Sequence, residues 1–229
     1  MKICVKPSQN FHFKIMVSVI ITSYNYGRYI ERALRSCLDQ SISKNQFEII
    51  VVNDCSTDNT VAILDNYQND ARIYHLEKNV GLSAARNFGV RKAKGQYVVF
   101  LDADDYLHKE TIQVQKLFLE ENHAFNAVAI DYFLVDDLEN HRERIDSAEK
   151  PIACGIMFRK DLLIEIGLYD EKFKAREEED LRIRFLERFN IYNIPLPLYR
   201  YRRHDNNLTN NEEIMQHAKK QLNQKHENI

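Results

Sequence analysis

Apolar and polar positions fall into alternating blocks along the first hundred residues. "IMVSVIITSYN", "FEIIVVND" and "QYVVFLD" are continuous apolar runs rich in β-branched residues, the pattern of strands buried on both faces. "ARIYHLE" is a shorter run of the same kind. Between them lie segments whose apolar residues recur at helical spacing. "YGRYIERALRSCLDQ" carries Ile30, Leu34, Cys37 and Leu38 on one face, and "STDNTVAILDNYQND" carries Val61, Leu64 and Tyr67. "SAARNFGVRKAKG" reads as a third helix. Asn25, then Ser56 or Thr57, and then Ser83 are placed to cap the three helices, and Gly95 stands where a helix C-terminus wants glycine. Strand and helix in alternation predict an α/β fold with a parallel sheet covered on both faces.

The pattern changes after "TIQVQKLFLEEN", a helix. "AFNAVAIDYFLVDDLENHRERIDSAEK" reads as strands joined by a charged, exposed turn, and "GIMFRKDLLIEIG" as a strand end with a short helix. "EEEDLRIRFLERFN" is a helix with Leu181, Phe185 and Phe189 on one face, and "IYNIPLPLYRYRRH" is extended. The chain therefore divides into an extension over 1–15, a single domain over 16–209 with halves 16–108 and 109–209, and a polar tail over 210–229, read as helical and loosely held.

The composition narrows the function classes. With 229 residues and a formal charge of −2, the chain has no overall electrostatic attraction for nucleic acid. Cys4, Cys37, Cys55 and Cys154 form no CxxC pair and lie near no histidine cluster, so neither a disulfide framework nor a zinc site is expected, and a reducing cytoplasmic setting is. "MKICVKPSQNFHFK" lacks the apolar core of a signal peptide, and no run of about 18 apolar residues predicts a transmembrane helix. Peripheral attachment to the inner face of a membrane is left open.

In parallel sheets, ligands bind beyond the carboxyl ends of the strands. Three such ends carry polar chemistry: "TSYN" at 22–25, "NDCSTD" at 53–58 and "DADD" at 102–105. Asp102 and Asp104 form a D-x-D pair, which either receives a hard divalent cation with a diphosphate or is a solvated acidic loop, with Asp105 or a neighbour capping the next helix. Asp54 either accepts hydrogen bonds from a nucleotide's base or ribose or, like Asp58, caps loop amides. Tyr24 either stacks on a base or packs. "EEED" at 177–180 suits a helix dipole, with room for one carboxylate acting as a general base. Arg200, Arg202, Arg203 and His204 gather either for phosphate and metal or as a solvated basic edge.

The blocks "VSVIITSYNYGRYIERALRSCLDQ", "EIIVVNDCSTDNT", "NVGLSAARNFGVRKAKGQYVVFLDADD", "GIMFRKDLLIEIGLYDE" and "EEEDLRIRFL" resemble the family 2 glycosyltransferases of GT-A fold, from about Val17 to about Thr209. The resemblance implies a mostly parallel central sheet flanked by helices, a nucleotide-binding half (16–108) and a small acceptor-side half (109–209). It also implies a nucleotide-sugar donor, usually a UDP-sugar, a divalent metal (Mn2+ or Mg2+) and inversion at the anomeric carbon. The acceptor would be a hydroxyl on a glycan, a lipid-linked carrier or another molecule, in surface-polysaccharide or glycan assembly. By position, Thr22, Tyr24 and Asn25 would line the nucleotide, Asp54 would hold base or ribose, and Arg86 would lie near the phosphates. Asp102 would contact ribose or metal, Asp104 would ligate the metal, and His204 would lie beside it. Asp180 would be the base, with Glu179 as the second candidate. Asn53 and Cys55 stand where the family usually shows Asp and Gly.

Other readings fit less of the chain. Haloacid-dehalogenase phosphatases place D-x-D in the first strand rather than the fourth, and sugar-nucleotide pyrophosphorylases open with a Gly-rich basic loop unlike "TSYNYGRYI". A degenerate transferase that only binds nucleotide or glycan would not require Asp102, Asp104 and Asp180 together.

Overall fold

A computed structural model describes residues 16–205 and 207–226; the extension expected over 1–15 lies outside the described residues. Strands β1 (Val17–Ser23), β2 (Phe47–Asn53), β3 (Arg72–His75) and β4 (Tyr97–Asp102) alternate with helices α1 (Ile30–Leu38), α2 (Thr60–Leu64) and α3 (Leu82–Lys92). Every residue of β1 and β2 is buried, which is why these runs are apolar without alternation. The first four strands are parallel in the order β3–β2–β1–β4. Their register sets Thr22 beside both Val52 and Asp102, and Ser23 beside Asn53. The three polar strand ends thus share one edge of the sheet.

The local signals behave differently from expectation at the helix ends. Asn25 does not cap α1: it takes a left-handed backbone (φ 60°), and its Oδ1 accepts the Thr57 amide at 2.7 Å. At α2 the Thr60 amide donates to Asp58 Oδ1 (3.0 Å), while the Gly27 amide donates to Oδ2 (2.9 Å), so Asp58 rather than Ser56 or Thr57 satisfies this end. Ser83 lies inside α3 and donates from Oγ to the Phe173 carbonyl. Gly95 follows the end of α3 and serves close packing: a Cβ there would sit 2.6 Å from the Ser18 nitrogen of β1.

Beyond β4 the sheet becomes mixed. Strands β5 (Tyr106–Leu107), β6 (Ala127–Val135), β7 (His141–Ile145), β8 (Met157–Arg159) and β9 (Ile191–Arg202) extend it as β4–β8–β6–β9–β5, with β7 on β6. β8 is antiparallel to β4, and β9 runs parallel to β6. Helices α4 (Thr111–Glu121), α5 (Lys160–Glu165) and α6 (Glu177–Leu186) cover this half, with Leu181 and Phe185 of α6 in the core. The segment read as a loose tail forms α7 (Glu212–His226), which is docked: Ala218 and Leu222 are buried, and Lys225 pairs with Asp170 at 2.7 Å. Only two of its side chains are buried, and the charged and polar residues around them mask that face in the sequence. Among the described residues no helix is long and apolar enough to cross a membrane.

Candidate active site

The carboxylates crowded at the exit of β4 are held apart by separate partners. Asp102 Oδ1 accepts from Arg86 Nη2 (2.8 Å). Asp104 Oδ2 lies 2.9 Å from His204 Nε2, and the His204 ring stacks on Tyr29 at 4.9 Å. Asp105 turns inward, where it accepts from the Tyr199 hydroxyl (2.6 Å) and the Arg202 amide (2.7 Å). It therefore fastens β9 and does not cap α4. Burial, with the charges of Asp104 and Asp102, pushes the Asp105 carboxyl well above the usual range. Burial also raises Asp104, opposed by the His204 hydrogen bond and reinforced by Asp102.

Asp102, Asp104 and Asp105 line a cleft of about 610 Å3, whereas His204 bonds Asp104 without itself lining it. Its strand-end wall includes Thr22, Tyr24, Asp54, Arg86, Asp102 and Asp104. Thr22 is buried, whereas Tyr24 is 45% exposed and leaves its ring face open to a planar ligand. Both Asp54 oxygens accept backbone amides, from Val80 (2.8 Å) and Gly81 (2.9 Å), which pins the turn ahead of α3. A carboxylate has about four acceptor positions, so two remain for a ligand. Asn25 is not among the lining residues; it ties the loop after β1 to the loop after β2. The basic edge is largely structural: Arg202 is buried and donates to the carbonyls of Asp104 and Asp136, and Arg200 donates to the Pro197 carbonyl.

Arg86 is 1% exposed and bridges the two walls. One nitrogen holds Asp102, and Nη1 donates to Glu177 of α6 at 2.6 Å. Two carboxylates and a guanidinium so close are mutually compensating, and the planar fork suits both contacts at once.

The four acidic residues of α6 have four different surroundings. Glu177 is bound by Arg86, and Glu179 is paired with Arg176 at 3.0 Å. Asp180 is completely buried and is bonded by Arg184 (2.7 Å), Lys225 (2.7 Å) and His226 (2.9 Å). Burial by itself would raise its carboxyl, but these bonds outweigh it and hold the group below its usual range. Neither Asp180 nor Glu179 lines the cleft; Glu177 and Glu178 do. Burial, followed by the charge of Glu177, raises the Glu178 carboxyl to about 7.

No group of three or more His, Cys, Asp and Glu side chains forms a metal shell among the described residues. Asp104 and His204 nevertheless supply an oxygen and a nitrogen donor within 2.9 Å of each other, with Asp102 lining the same cleft. Mg2+ and Mn2+ sites commonly use only one or two carboxylates and complete the shell with substrate phosphates and water. The donor set fits such an open site, and a cation there would offset both the burial and the Asp102 charge that raise Asp104.

Sequence reasoning left the base open within 177–180 and named Asp180 and Glu179 rather than Glu178; it did not single out Tyr26, Asn207 and Met215, which also line the cleft. Helical phase was the available signal for the first: Glu178 precedes Leu181 by three positions and Phe185 by seven, on a different face from Asp180. The others carry no local signature.

The profile of Glycosyl transferase family 2 matches residues 18–184. The poly(ribitol-phosphate) β-N-acetylglucosaminyltransferase TarS of Staphylococcus aureus is 40% identical over 110 residues, 47% of this chain and 19% of that protein. TuaG of Bacillus subtilis, whose name assigns it to teichuronic acid biosynthesis, is 45% identical over 113 residues, 48% of this chain and 44% of its own. This chain thus spans less than half of either curated relative. Residues 1–349 of TarS solved with UDP-GlcNAc superpose with a TM-score of 0.76 at 27% identity, covering 89% of this chain and 65% of that one. The strand-end cleft and the family profile concur, and the chain belongs to glycosyl transferase family 2.

Proposed function

We propose that the protein transfers a sugar from a nucleotide-sugar donor, a UDP-sugar, to an acceptor hydroxyl by a single displacement with inversion, in surface-polysaccharide or related glycan assembly. The observation that carries this reading is the presence in one cleft of the D-x-D pair and of Glu178, whose carboxyl is raised to about 7. The likeness to a TarS structure holding UDP-GlcNAc supports the donor class, and the names of TarS and TuaG support the setting.

Glu178, in place of the expected Asp180, takes the proton from the acceptor hydroxyl as that oxygen attacks the anomeric carbon. A base works best with a pKa near the operating pH and open access to substrate, and Glu178 has both where Asp180 has neither. Thr22, Tyr24 and Asp54 hold the nucleoside, Tyr24 through its exposed ring. Arg86 pairs with both Asp102 and Glu177 and ties the start of α6 to the end of β4. Asp104, Asp102 and His204 would hold a divalent cation, which supplies counter-charge to the leaving diphosphate.

The test is turnover of a panel of UDP- and GDP-sugars with Mn2+ or Mg2+, with and without chelator. Donor turnover that needs the cation and prefers UDP-sugars is expected. Turnover indifferent to chelator would remove the metal from the reading, and phosphate release from simple phosphomonoesters without nucleotide would replace it.

A further inference from the structure

Two cations line the cleft close to the base. Lys174 is exposed, and Arg176 stands immediately before α6, four and two residues ahead of Glu178. Among the described residues nothing bonds the Lys174 ammonium. Arg176 donates from Nη1 to Glu179, but its Nε is buried without an acceptor. A buried donor left unmade costs about 1–3 kcal/mol. Arg176 also holds a left-handed backbone (φ 57°), which disfavours any side chain larger than glycine's by about 1–2 kcal/mol. Backbone strain of this kind concentrates at functional sites.

We propose that Lys174 and Arg176 form an anion subsite for the acceptor, so that the molecule receiving the sugar carries a phosphate or carboxylate near its reacting hydroxyl. This rests on the proposed transferase reading. Placement beside Glu178 assigns the anion to the acceptor, because the acceptor hydroxyl must reach that carboxylate while the nucleotide occupies the strand ends. The guanidinium charge and the exposed, mobile lysine ammonium both favour a phosphate or carboxylate. The donor's diphosphate is the other source of such an anion, and the two separate experimentally.

The full chain, saturated with UDP and Mn2+, is titrated with glycerol 3-phosphate and with glucuronate, and in parallel with glycerol and glucose. The charged probes should bind and the neutral ones should not, with affinity falling as salt rises. Lys174→Glu and Arg176→Asn, the latter chosen because asparagine tolerates the left-handed backbone, should each weaken the charged probes about tenfold or more while UDP affinity and melting temperature hold. Failure of the wild-type protein to bind either charged probe while UDP binds would overturn the subsite alone. A tenfold loss of UDP affinity in both variants would reassign the cations to the donor. Failure to bind UDP at all would remove the transferase reading beneath it.

Discussion

Lys225 Nζ lies 2.7 Å from Asp180 Oδ1, joining the last turn of α7 to the acidic helix across 45 positions of sequence. His226 reaches the same oxygen at 2.9 Å, and Arg184 holds the other. This carboxylate works as an anchor for α6, and α7 also lines the cleft through Met215. Removing both α7 partners of Asp180 by Lys225→Ala with His226→Ala leaves a fully buried carboxylate with only Arg184. Each lost bond to a charged group is worth about 1.5–3 kcal/mol when buried, and Lys225 is partly exposed, so a total loss near 2–3 kcal/mol is expected. Urea unfolding measures it. An unchanged midpoint would mean that α7 does not grip α6.

The Glu178 carboxyl gives a pH dependence with a definite sign. Its folded pKa of about 7 exceeds the ordinary 4.5, so the native state holds an extra proton between those values. The stabilisation from that proton is complete below about 4.5 and lost as pH rises through 7. Catalysis runs the other way, since the base must be ionised. Turnover should therefore rise about tenfold per pH unit below 7 and level off above it, while the melting temperature declines over the same window. Glu178→Gln should flatten the stability trend. A rate that is flat from pH 5 to 8 would separate Glu178 from proton transfer.

Among the described residues Arg86 is the one cation in ion-pair contact with Asp102 and Glu177, and the Cys154 thiol is a further partner of Asp102. Arg86→Met strands both and should cost about 3–5 kcal/mol. Arg86→Lys keeps the charge but loses the fork, and should lower kcat/KM by at least tenfold with a smaller loss of stability. Full activity in the lysine variant would show that charge alone suffices.

Cys55 occupies a left-handed backbone (φ 63°) in the loop after β2, where the family usually places glycine. Cys55→Gly should leave stability unchanged or slightly raised, while Cys55→Val should lower it by about 1–2 kcal/mol. Chemical denaturation of the pair decides. Equal stability in both would mean that the loop relaxes.

The parallel strands were legible because burial on both faces forces continuous apolar runs, and the convergence of Thr22, Asp54 and Asp102 follows from their register. Helix caps were less legible. Asn25 and Ser83 are capping residues by type, but one spans two loops and the other bonds Phe173 across the chain. Such long-range partners leave no local signal. The α6 run was the hardest part, since four adjacent acids look alike in sequence. Their differences come from Arg86, Arg176, and Lys225 and His226 of α7, most of them supplied by other elements of the chain. For the same reason the segment after Asn210 read as a tail, because its polar residues face an ionic partner.

The most direct measurement compares Glu178→Gln with Asp180→Asn in sugar transfer, with UDP affinity and melting temperature recorded for both. Glu178→Gln should keep the fold and UDP binding while losing transfer by at least a hundredfold, within the range that a general base supplies. Asp180→Asn should lower the melting temperature and retain transfer when assayed well below it. Transfer surviving in Glu178→Gln and abolished in a fully folded Asp180→Asn would contradict the account.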